Sequence, residues 1–90
     1  MFSIYFIKND FGLVKIGYSS QVTKRIRGIQ AICGLGLELV YEYSSPCKED
    51  ITYLEKALHQ YFSKYRKHGE WFESNILNYD LEVVVNAIID

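Results

Sequence analysis

Ninety residues are enough for one domain with a small core and too few for two, so the chain is read as a single unit over 1–90. Apolar residues at 49% and aromatics at 16% exclude a disordered chain, and a net charge of −1 excludes a protein coated for non-specific attachment to nucleic acid. No apolar run approaches a membrane span and the N-terminal stretch is too short for a secretion signal, so no membrane partner is expected.

The chain opens with Ser3-Ile4-Tyr5-Phe6-Ile7, breaks at Asn9-Asp10-Phe11-Gly12 and resumes as Leu13-Val14-Lys15-Ile16-Gly17-Tyr18. Two β-branched and aromatic runs around a polar, glycine-containing break predict a β-hairpin. Ser19 or Ser20 is then expected to cap a helix over residues 20–32, where Val22, Ile26, Ile29 and Ala31/Ile32 recur at helical spacing. Gly34-Leu35-Gly36 ends it. Leu37 to Tyr43 alternates as a third strand, with Glu38 and Glu42 expected on one face.

Ser44-Ser45-Pro46 introduces a second helix, expected from Lys48 to Tyr65, whose apolar stripe is Ile51, Leu54, Leu58, Tyr61, Phe62 and Tyr65. Lys67-His68-Gly69 breaks it, Trp71-Phe72 forms a brief extended segment, and Tyr79 to Ile89 closes the chain as a helix. The expected fold class is α/β (α+β), a three-stranded antiparallel sheet flanked by helices. Cys33 and Cys47 lack metal spacing and are too few for a disulfide scaffold, so both are read as reduced thiols of a cytoplasmic protein. Lys8, Lys15, Lys24, Arg25 and Arg27 outnumber acids early in the chain, Lys56, Lys64, Arg66 and Lys67 do so later, and the acids concentrate elsewhere. A basic face with an acidic back is expected.

The hairpin's alternation points to chemistry. Side chains two apart share a face, which lets Tyr5, Lys15 and the backbone at Gly17 converge just before the basic start of a helix. A phenol, an ammonium and a guanidinium beside a glycine make a plausible phosphate site.

The order of Ser3-Ile4-Tyr5, Lys15-Ile16-Gly17 and Arg25 resembles the GIY-YIG nuclease superfamily, with Ser3 in place of the first glycine and Lys15 in place of the second tyrosine. Leu54-Glu55-Lys56-Ala57-Leu58-His59 and Gly69-Glu70-Trp71-Phe72 are similar to its short, phage-associated branch, in which Lys-Ile-Gly is a familiar second motif. The resemblance implies a metal-dependent endonuclease that hydrolyses phosphodiester bonds by in-line attack of water. It implies Glu55 as ligand of Mg²⁺ (or Mn²⁺), Arg25 on the scissile phosphate and Tyr5 on the attacking water. Lys15 then stands in for the missing tyrosine, or is a surface strand lysine; His59, on the Glu55 face one turn on, is a pocket hydrogen-bonding group or a structural histidine. Gly17, Tyr18 and Arg27 are candidate substrate contacts.

Glu70 is expected to hydrogen-bond across the pocket or to pair with Arg66, while Trp71 and Phe72 anchor the last segment. The implied partner is nucleic acid, DNA in the first instance, with a homodimer or a protein partner supplying specificity that so small a domain lacks. Two other readings stay open: a catalytically weak nucleic-acid-binding module, and a small phage-type protein-binding factor on the same fold.

Overall fold

The computed structural model describes residues 1–34 and 36–90, and for Cys33 the backbone alone. The chain runs β1 (Phe2–Asn9), β2 (Leu13–Ser19), α1 (Val22–Cys33), β3 (Leu37–Ser45), α2 (Lys48–Tyr61), β4 (Arg66–His68), β5 (Trp71–Glu73) and α3 (Leu81–Ile89). Short 3₁₀ turns occupy Ser63–Tyr65 and Ser74–Asn78. No helix among the described residues is long and apolar enough to cross a membrane.

The hairpin forms as expected. Asn9 Oδ1 accepts from the amides of Phe11 and Leu13 at 2.9 and 3.0 Å, so one side chain closes the turn from within. The sheet is not three-stranded. It has five antiparallel strands in the order β3-β1-β2-β5-β4, because Trp71–Glu73 pairs with Leu13–Lys15 of β2 and in turn accepts Arg66–His68. β4 escapes sequence reading because its three residues are all polar and all exposed, which leaves no alternation.

Three further expectations need correction. The N-cap of α1 is Gln21, with no side-chain cap; Ser19 Oγ instead accepts from the Gln21 amide at 3.0 Å and shapes the turn before the helix. α2 stops at Tyr61 rather than Tyr65, passing into the 3₁₀ turn that carries Tyr65. Glu38 and Glu42 do not share a face. Phe6 pairs with Tyr41 and Ile7 with Leu39, so Val40 is an extra residue and the alternation is reset across it.

Two apolar layers hold the sheet. On one face Ile4, Phe6, Val14, Ile16 and Phe72 meet Ile51, Leu54, Leu58 and Phe62 of α2 and Leu81, Val84 and Val85 of α3. On the other, α1 lays Val22, Ile26 and Ile29 over Tyr5 and Ile7 of β1 and Leu37 of β3. α3 tolerates its β-branched run because this burial is joined by a cap, Asp80 Oδ1 accepting from the Val83 amide at 3.2 Å. Cys47 is a free thiol; the Cys33 thiol and Leu35 lie outside the described residues.

Candidate active site

β5 covers only the first half of β2, leaving the strand from Ile16 onward with an open edge. Two groups satisfy the backbone there. The Ile16 amide donates to the Glu70 carbonyl, and its carbonyl accepts from His59 Nε2, each at 3.0 Å. A carbonyl can only accept, so His59 Nε2 carries the proton and is not free to bind metal. The ring also meets Phe72 edge-on, with centroids 5.1 Å apart. His59 therefore ties α2 to β2, and only Nδ1 is left for any relay.

At this edge Lys15 Nζ pairs with Glu70 Oε1 at 2.8 Å, with the two side chains 14% and 39% exposed. This replaces the expected Glu70–Arg66 pair, since Arg66 Nε donates to the Gly69 carbonyl instead. The positive φ of 55° at Gly69 suits a residue without Cβ and turns the chain so that Glu70 reaches back to Lys15.

Glu55 projects from α2 beside this pair. Its Oε2 is buried and is the one buried side-chain oxygen or nitrogen without a hydrogen-bond partner among the described residues. Burial pushes its pKa up to about 7, the Glu70 carboxylate adds to the rise, and the Lys15 ammonium opposes it. A carboxylate that is desolvated, has an oxygen without a hydrogen-bond partner and lies near a second acid is stabilised by added positive charge. A hard divalent cation supplies that charge and accepts a single protein oxygen, with water and phosphate oxygens completing its shell. A single carboxylate oxygen of this kind is compatible with Mg²⁺ or Mn²⁺; among the described residues no group of three or more His, Cys, Asp or Glu side chains is placed to hold a metal ion.

Tyr5 shares the sheet face of Gly17 and Lys15, as the alternation predicts, and is 1% exposed. Its ring crosses to β2 over Gly17, its cross-strand partner. A Cβ built at Gly17 would lie 2.5 Å from the Tyr5 hydroxyl oxygen and 2.7 Å from Cζ, so glycine is required for the ring to rest there. Gly17→Ala should displace Tyr5 and destabilise the domain by roughly 1–3 kcal/mol, the usual cost of overpacking. Chemical denaturation measures this, and an unchanged midpoint would show that the ring has room to move.

Arg25 is exposed on α1 and lines a cleft of about 450 Å³ with Ser19, Ser20, Lys24, Gly28 and Ile29. It makes no hydrogen bond or ion pair with Tyr5 or Glu55. Arg27 is exposed and does not line this cleft. Tyr18, 36% exposed, lies on the open half of β2.

The structure thus gathers Lys15, Glu55 and His59 with Glu70, sets Tyr5 against Gly17, and keeps Arg25 in a neighbouring cleft. Sequence reasoning missed Glu70 as the partner of Lys15, 55 positions away, and Lys24 as a second cation in the Arg25 cleft.

A sequence model of the T5orf172 domain family matches residues 3–89. No curated protein and no solved structure matches the chain.

Proposed function

The chain belongs to the T5orf172 domain family, a phage-associated family, and from that premise we propose that it is a metal-dependent endonuclease of the GIY-YIG kind, hydrolysing phosphodiester bonds in nucleic acid. The observation that carries this reading is Glu55, whose buried oxygen has no partner and whose carboxyl is held up to about 7. The ordered Tyr5, Lys15-Ile16-Gly17, Arg25 and Glu70-Trp71-Phe72 set supports it.

Glu55 would hold Mg²⁺ or Mn²⁺ through its unpartnered oxygen, and the cation's chemistry there is to offset charge on the leaving oxygen. The Tyr5 hydroxyl orients the attacking water in line with the bond to be broken. Arg25 binds the non-bridging phosphate oxygens, where its guanidinium counters the charge that grows as the fifth oxygen approaches. Lys15 keeps an ammonium at the strand edge, aimed by Glu70. The water's oxygen forms the new P–O bond and releases one proton to solvent, the bridging P–O bond breaks, and the departing oxygen leaves as a hydroxyl after taking a proton from solvent.

Incubating the protein with plasmid DNA, with single-stranded DNA and with RNA, in Mg²⁺ or Mn²⁺ and in chelator, tests this. Cleavage of at least one substrate is expected with metal and none in chelator. One observation favours a rival, a binding module without catalysis: Lys15 is already engaged by Glu70. Binding without cleavage under every metal condition would select that rival.

A further inference from the structure

Within Glu70-Trp71-Phe72 the two aromatics go opposite ways. Phe72 is fully buried in the core beneath α2, whereas Trp71, one residue earlier, faces the other side of the sheet. Trp71 is partly buried and belongs to neither apolar cluster, so it is not the anchor that its size alone would imply. On that face the apolar residues of α1 pack on Tyr5 and Ile7 of β1 and Leu37 of β3. Over β4, β5 and β2 the register sets His68, Trp71 and Lys15 in one cross-strand row. Lys15 Nζ lies 5.8 Å from the indole centroid.

We propose that Trp71 is a stacking platform for an unpaired nucleobase of the strand being cut, with Lys15 receiving the adjoining phosphate. This rests on the reading of the protein as acting on nucleic acid. An indole left outside the core and placed between an ammonium and an imidazole suits a flat ring joined to an anion. A protein partner would call for an apolar surround, whereas Trp71 shares this face with charged groups, Lys15 opposite it and Glu73 two residues on, the latter paired with Lys67 at 3.5 Å. Strands lie ~4.8 Å apart, so a base on Trp71 and a phosphate at Lys15 fit a single nucleotide. Lys15 of this row pairs with Glu70 and its ammonium acts on the Glu55 carboxyl, which joins the row to the candidate active site.

Trp71 is the sole tryptophan of the chain, so its emission, excited where tyrosine does not absorb, reports on this position alone. The full chain is titrated in chelator with a short mixed-sequence single-stranded DNA oligonucleotide, and anisotropy of a labelled copy is followed in parallel. Emission should fall over the same concentration range in which anisotropy rises. Trp71→Leu should weaken binding by roughly 5- to 150-fold, the range for loss of one stacked base. Binding with unchanged emission, or a folded Trp71→Leu that binds as tightly, overturns the platform and leaves the nucleic-acid reading standing. Absence of any binding at low salt overturns both. Should Trp71→Leu fail to fold, the wild-type emission decides.

Discussion

Glu55→Gln should abolish metal-dependent cleavage while leaving the fold intact. The amide keeps the volume of the carboxyl and removes the charge that holds a hard cation. Oε2 has no hydrogen bond to lose. The same variant should also change how stability depends on pH. Burial and Glu70 raise the Glu55 pKa from 4.5 to about 7, so between those values the folded chain keeps a proton that the unfolded chain has released. Stability in chelator therefore falls as pH rises through that window and levels off above it. In Glu55→Gln that fall should vanish. Mg²⁺ at neutral pH should raise the melting temperature of the parent and not of the variant, since a ligand that binds only the folded state stabilises it. Thermal melts across pH, with and without metal, measure both effects. Undiminished cleavage by Glu55→Gln would remove Glu55 as the ligand, and identical pH dependence in the two proteins would place its carboxyl in water.

Arg25→Ala should cut turnover by roughly 10²-fold or more and affect substrate affinity far less, as loss of a group that acts on transition-state charge does. The melting temperature should hardly change, because Arg25 is exposed and only its backbone amide, which alanine keeps, donates a hydrogen bond, to the Gln21 carbonyl at 2.9 Å. Its place in the cleft with Lys24 separates it from Arg27, two residues on and roughly 200° around the helix. Arg27→Ala should weaken binding and leave turnover nearly intact. Single-turnover kinetics over a range of protein concentration distinguish the two effects. If Arg27→Ala instead abolishes turnover, the phosphate is bound on the other side of α1.

Much of this is legible in the sequence alone, for a physical reason. The β1–β2 hairpin, the apolar stripe of α2 and the closing helix are local patterns, written within a few residues of one another. What could not be read is what joins distant segments. Val40 as an extra residue in β3 leaves no mark in the composition, yet it moves Glu38 and Glu42 to opposite faces. β4 is three exposed polar residues and becomes a strand only because β5 lies beside it. At the site, the residue types were visible and their pairing was not: Lys15 faced a choice among acids, and the turn at Gly69 settled it for Glu70. His59 shows the same limit, since its partner is a backbone carbonyl, and no side-chain pattern reveals one.

The extra residue at Val40 has an effect beyond register. β3 is an outermost strand of nine residues with a neighbour on one side only, the kind of free edge onto which another extended chain adds and from which aggregation spreads. A bulge twists such an edge and breaks the even spacing of its amides and carbonyls, so an incoming strand finds a continuous ladder on neither side of the break. Because alternation resets there, each face of the edge also carries a carboxylate, Glu38 on one and Glu42 on the other. Both faces of the longest open edge therefore repel an acidic copy of the same strand, and the domain resists polymerising through β3 without a helix to cover it.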